Sequence, residues 1–299
     1  MIYVVVQLFK IEGKKMKKVL FATTALVMTT GYAAAEVSFS GKASAGVFSQ
    51  AAAGGDTSEV FSGFDIGISA SVTTDSGLTL SVSDDIGGGS TADWNDDYAI
   101  DDQSGDIGTP GVTIASGGMS LSIDNQAIDD RYDDSQNGDI GLDATFAGNS
   151  VGITLDTDAA AGEASMSYSI GGAAGGVSYG LVGTDSNDGN VSAYKWNVGY
   201  DMSTVSLTFK SDNVDGADAV NTIGITAPLG ALSVTISADD NEDWDASASF
   251  AAGGLSVNYA TDEESAWDVN ASYALGGGAT AFVGSNSTEF SVGGVEFTF

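Results

Sequence analysis

Histidine and cysteine are absent from this chain, proline occurs only twice, and Lys plus Arg number 9 against 41 Asp plus Glu. Each shortage closes off a chemistry. Without cysteine there is no disulfide framework and no thiol nucleophile. Without histidine there is no Ser-His-Asp relay, and the usual imidazole ligands of zinc are missing. Carboxylates are spread along the whole chain and so single out no pair for acid–base work. We therefore read the chain as a non-enzyme that requires no cofactor. So few cations in a chain of formal net charge −32 also argue against nucleic acid as a partner, because phosphate would be repelled rather than neutralised.

Long hydrophobic runs are scarce too. The one that stands out, Val19 to about Met28, follows Lys14, Lys15, Lys17 and Lys18 and precedes Ala33-Ala34-Ala35. A basic region, a short apolar region and an A-x-A site make a secretory signal, cut between Ala35 and Glu36. Met16 is the expected functional start, with residues 1–15 an upstream extension. The chain thus divides into residues 1–35, which are removed, and one large domain, residues 36–299. Five of the nine basic residues leave with the signal, and only Lys42, Arg131, Lys195 and Lys210 stay. No later segment is apolar for long enough to form a transmembrane helix.

What is present is 42% hydrophobic residues arranged with a period of two. In "EVSFSGKASAGVF", Val37, Phe39, Ala43, Ala45 and Val47 fall on one face, and Ser38, Ser40, Lys42 and Ser44 on the other. "TVSLTFK" and "YKWNVGY" repeat the pattern, with Lys210 and Lys195 on the polar face. Short small-residue turns recur near Thr74–Gly77, Ser116–Gly118, Ala147–Asn149, Gly172–Gly176, Asp201–Thr204, Pro228–Ala231, Ala251–Gly254 and Leu275–Gly278. Longer acidic connections separate the pairs. Short turns on one side and long polar loops on the other are the asymmetry of a transmembrane antiparallel β-barrel.

Eight hairpins plus a first and a last strand give eighteen strands; dropping the pair "PGVTIAS" and "GMSLSID" would give sixteen. Tyr168, Tyr179, Tyr194, Trp196, Tyr200, Trp244, Tyr259, Trp267 and Tyr273 recur near strand ends, as interfacial girdles require. A soluble, secreted, Ca²⁺-binding β-rich surface protein or adhesin is the alternative, since a period of two does not say which face is wet. In the barrel, Lys42, Lys195 and Lys210 line water, because a lipid-facing lysine near the midplane costs about 2–4 kcal/mol. The last strand, ending "VEFTF", must pair with Glu36–Phe48, with Val295, Phe297 and Phe299 toward lipid and Glu296 and Thr298 toward the lumen.

The chain resembles the general (Gram-negative) porins of alphaproteobacteria. "MKKVLFATTALVMTTGYAAAEVSFSGKASAGVF" is similar to that family's signal and first strand, "TTDSGLTLSVS" to its first periplasmic hairpin, and "SYALGGGATAFVGSNS" with "FSVGGVEFTF" to its last hairpin and closing strand. The resemblance implies an outer-membrane homotrimer of sixteen-stranded barrels passing small polar solutes by diffusion. It also implies a constriction loop folded into the lumen, by position Asp124–Asp139, with Asp124, Asp129, Asp130, Asp133, Asp134 and Asp139 facing basic wall residues. Arg131 lies on that loop, whereas the family usually carries several arginines on the wall. Phe299 resembles the C-terminal signal read by the barrel-assembly machinery. The excess of acids predicts a cation-selective lumen. Acid runs at Asp93–Asp106 and Asp129–Asp139 could hold Ca²⁺, although solvated loops are the simpler reading.

Overall fold

Alternation becomes strand nearly wherever it occurs. The computed structural model describes residues 35–51, 57–103, 105, 108–133, 136–159, 164–186, 192–214 and 216–299; Ala33 and Asp134 lie outside the described residues. Among them are nineteen strands and no helix. The first half runs β1 (Glu36–Gln50), β2 (Thr57–Thr73), β3 (Thr79–Asp93), β4 (Ala99–Asp102), β5 (Gly111–Ser116), β6 (Met119–Asp129), β7 (Asn137–Phe146), β8 (Asn149–Leu155) and β9 (Ala164–Ala174). The second runs β10 (Val177–Ser186), β11 (Ala193–Asp201), β12 (Ser206–Val214), β13 (Val220–Leu229), β14 (Leu232–Asp239), β15 (Trp244–Ala252), β16 (Leu255–Asp262), β17 (Trp267–Gly276), β18 (Ala279–Asn286) and β19 (Ser291–Thr298).

Strand β4 pairs with β3 to make a hairpin. The other eighteen strands pair antiparallel in chain order, β3 passing directly to β5, and β19 returns to β1. The barrel is closed. Eighteen strands, as the hairpin count predicts, replace the sixteen implied by the resemblance: Gly111–Ser116 and Met119–Asp129 are separate strands around the turn at Gly117-Gly118. All eight short turns sit where the small residues place them. Gly175 and Gly176, for instance, have φ of +61° and +83°, the left-handed pair that a two-residue hairpin needs to match strand twist.

The seam runs from Lys42↔Thr298 through Ala45↔Val295 to Ser49↔Ser291. The Phe299 N–H donates to the Gly41 carbonyl (3.1 Å), and the Gly41 N–H donates back to Phe299 (3.0 Å). Phe297 and Phe299 stack with centroids 6.0 Å apart. By this register Val295, Phe297 and Phe299 share the outward face with Ala43 and Ala45. That face is apolar around the ring, and side chains such as Val60 (81% exposed) and Phe146 (80%) stand free. A β-sandwich would have turned these residues inward, so the soluble alternative fails here.

Two stretches depart from the expectation. Asp124–Asp139 is not one long loop. Asp129 still belongs to β6 and Asp139 already belongs to β7, so that only residues 130–136 connect them, after an irregularity between Ile123 and Ile128. The polar face is not uniformly polar either, because Phe48, Phe61, Phe282 and Val292 occupy inward register positions. Deleting Phe299 removes two backbone hydrogen bonds and one ring stack at the seam, a loss of about 1–3 kcal/mol. The expected outcome is a smaller fraction of heat-modifiable, folded barrel on gels after refolding into detergent.

Candidate functional site

Among the described residues, two segments leave the wall and enter the lumen. The first is the β3–β4 hairpin. Strand β3 follows β2 as far as Gly63↔Gly89, where Gly89 takes φ +73° and the strand turns inward. A Cβ at Gly63 would sit 2.5 Å from the Ser90 carbonyl oxygen, so the hairpin crosses β2 at backbone distance. Its Trp94 stacks on Phe282 (centroids 5.1 Å, 14° between planes). Phe61 lies 6.4 Å from Phe282 and 6.5 Å from Phe48, and Phe48 stacks on Phe290 at 6.3 Å. Ala92, Tyr98 and Val292 are buried in the same cluster, with Trp94 and Ile100 packed against it. Each large side chain so buried contributes about 1.5–3 kcal/mol.

Beyond the aromatics, the Tyr98 hydroxyl donates to Asp268 Oδ1 (2.8 Å) and accepts from Asn270 Nδ2 (3.0 Å). Asn258 in turn donates to Asn270 (2.8 Å), which ties the hairpin tip to β16 and β17. Burial, joined by the charge of Asp268, pushes the Tyr98 phenol from 10.0 up to about 12. The neutral phenol is the form the fold prefers. Its stabilising effect is therefore complete below pH 10 and is lost as pH rises through about 12.

The second segment is the β6–β7 turn. The Arg131 N–H donates to Ser167 Oγ (2.8 Å), its Nε to Thr154 Oγ1 (3.1 Å), and its guanidinium pairs with Asp143 at 2.9 Å. The turn thereby lies across β7, β8 and β9. Gly152 makes room for it, since a Cβ there would be 3.1 Å from the guanidinium carbon. Tyr132 reaches further and donates to Asp212 Oδ1 (3.3 Å). Lys195 Nζ lies 4.3 Å above the Tyr132 ring and 3.8 Å from Asp212.

The sequence-expected residues separate accordingly. Among the described residues, Lys195 meets this turn through the Tyr132 ring. Asp130, which is buried, accepts from the Tyr132 and Asp133 N–H groups (2.7 and 2.9 Å) and shapes the turn itself. Asp133 accepts from Gln136, Asp129 is exposed, and Asp139 accepts from the Gln126 and Thr157 N–H groups. Asp124 leans over Gly111 at a gap in the wall, where β3 pairs with β5 only up to Ser83. Lys42 lies in register between Asp65 and Thr298, and Lys210 between Asn197 and Thr222. Among the described residues, the carboxylates that gather are Asp139, Asp156 and Asp158, within 4.8 Å of one another. Gln126 Nε2 already donates to Asp156 (2.9 Å) and Asp158 (2.6 Å). Of the two acid runs, Asp139 belongs to this group, while Asp106 and Asp134 lie outside the described residues.

A closed antiparallel barrel is the fold that the comparisons match. A profile of the Gram-negative porin family covers residues 22–295. The chain belongs to the Gram-negative porin family. Family and fold accordingly point to an outer-membrane porin channel. Among solved structures, this porin resembles a triple mutant of Rhodopseudomonas blastica porin (14% identity, 88% of this chain and 100% of that chain, TM-score 0.54). It also resembles another mutant of the same porin (13%, 88% and 100%, TM-score 0.55). A structure described as "Asymmetric conductivity of engineered proteins" matches likewise (15%, 88% and 100%, TM-score 0.54). At such identities the likeness is one of fold. No curated protein matches by sequence.

The hairpin is the feature that sequence reasoning missed. Its signals were present as apolar pairs that break alternation, Val47-Phe48, Val60-Phe61 and Phe282-Val283, and as Gly87-Gly88-Gly89 ahead of Trp94. For the turn, Arg131→Met frees Asp143 and loosens the hold on β8 and β9. The ion pair is partly exposed, so the stability loss should stay below about 1 kcal/mol. Excess noise in single-channel current at unchanged mean conductance is the expected signature.

Proposed function

We propose that the lumen passes small hydrophilic solutes by passive diffusion with a preference for cations, and that the chain works as a homotrimer. The observation that carries the selectivity is the disposition of charge. Of the four basic residues after the expected cleavage site, Arg131 is paired with Asp143, and Lys195 lies beside Asp212 and Tyr132. The inward register positions meanwhile carry Asp65, Asp85, Asp245, Asp262, Asp268 and Glu296. Asp245 and Asp262 stand directly opposite each other across β15 and β16. Like charges so placed repel unless a counter-ion sits between them, and a low-dielectric wall focuses their field into the pore.

Trimerisation is supported by one outward residue. Asp84 lies opposite Ile68 in the middle of β3, between Val82 and Ile86, on the face that elsewhere meets lipid. Among the described residues, it is the charged side chain that stands at an outward position of a barrel strand away from the strand ends. The gap beside it opens into a cavity of about 480 Å³ with Asp85, Thr109, Asp124 and Asn125 on its walls. Asp84 itself lines that cavity and is half-buried, its Oδ1 accepting from the Asp85 N–H (2.9 Å). A carboxylate so close to lipid is still unfavourable, and a neighbouring copy covering the β3–β6 side would seal it from the bilayer.

In a KCl gradient across a planar bilayer, the reversal potential should carry the sign of potassium current; an anion-preferring channel would refute the selectivity. Asp245→Asn with Asp262→Asn should lower the potassium-to-chloride permeability ratio by about twofold or more. For the oligomer, three-step closures of single channels are the expected record, and uniform single closures would count against a trimer.

A further inference from the structure

We propose that the β3–β4 hairpin is a second constriction, fixed to the wall and latched by Tyr98, and that it sets the limiting width of the pore on the long-loop side. The proposal rests on the diffusion-pore reading and adds which segment limits passage. The β6–β7 turn spreads over β7 to β9 and reaches β11 and β12. The hairpin covers the opposite arc, β17 to β19 with β1 and β2. The free cross-section is what remains between them.

Three independent features mark the hairpin as built for this place. First, the wall beneath it is apolar where a water-filled lumen would favour polar residues. Phe48, Phe61, Phe282 and Val292 all face inward and are 9% exposed or less. Such a patch is stable only when covered, and Ala92, Trp94, Tyr98 and Ile100 cover it. Second, the wall is cut to the hairpin's backbone, since a side chain at Gly284 would collide with the Trp94 carbonyl. Third, the tip is held by directional bonds, with the Tyr98 hydroxyl serving Asp268 and Asn270 at once. An aromatic cover alone could slide; a hydroxyl bonded on both sides fixes depth and angle. The inward bend at Gly89 supplies the pivot.

The test compares the unaltered protein, Trp94→Ala with Tyr98→Ala, and Tyr98→Phe, all in planar bilayers, with heat-modifiable gel migration reporting that each barrel has formed. Uptake of sugars of increasing size by liposomes reports the width. Steps from the unaltered protein are the reference, and their absence would overturn the pore reading itself. The double variant should raise the conductance step by about 1.5-fold or more and admit larger sugars. A folded double variant with the original step and size limit overturns the hairpin's role and leaves the β6–β7 turn as the limiting segment. If the double variant does not form a barrel, Tyr98→Phe decides. It keeps the ring in the aromatic cluster and removes only the hydroxyl. Brief excursions to a higher conductance level support the latch, and a trace indistinguishable from the unaltered channel overturns it.

Discussion

Every feature of this molecule answers to one requirement: a backbone N–H or C=O facing lipid has no water to bond to, and leaving it unpaired costs several kcal/mol. A single open edge would strand a whole row of such groups. The meeting of β1 with β19 is therefore the condition for the rest of the ring, not an incidental contact. It explains why the chain ends on alternating aromatic and polar residues. Phe299 exchanges both backbone bonds with Gly41, so the terminus is itself a rung of the ladder.

Closure with eighteen strands creates a second problem inside. A ring of that size encloses more space than its own side chains can fill, and an unobstructed lumen would discriminate poorly. Two excursions of the chain occupy that space by different means. The turn at Arg131 and Tyr132 is held by charge and hydrogen bonds to Asp143, Thr154, Ser167 and Asp212, all polar groups suited to a wet surface. The β3–β4 hairpin is held by an aromatic cluster, which is the main buried apolar core among the described residues. A hydrophobic core inside the lumen of a membrane barrel reverses the usual disposition. It works because the outward faces already meet lipid, and the inner wall is the remaining place where burial can stabilise anything.

Much of this was legible beforehand. A period of two, short turns of small residues, long acidic connections and aromatic residues near strand ends were enough for the barrel and for a hairpin count of eighteen strands. Lys42, Lys195 and Lys210 fell on the polar face by counting alone. The constriction was less legible. Asp124–Asp139 reads as one acidic connection, yet Asp124 and Asp129 lie in β6 and Asp139 in β7, because β-pairing continues through acids that face water. Asp130 was read as a charge facing the wall, but it serves its own turn, since nearby N–H groups are the closest donors it can reach. Phe48 and Phe61 each looked like one apolar residue too many beside Val47 and Val60. Nothing local says that Trp94, more than thirty residues downstream of Phe61, belongs to the same cluster.

The division follows from range. Alternation and turn chemistry act over two to four residues, so the sequence by itself determined the barrel strands, their short turns and the excess of carboxylate on the polar face. Which wall residues meet which loop depends on residues far apart in the chain, 172 positions in the case of Tyr98 and Asn270. Only the closed ring brings those two together. The tertiary structure therefore decided which segments fold against the inner wall, which of the scarce cations stand beside wall acids, and that Asp84 lies at an outward position beside a polar cavity.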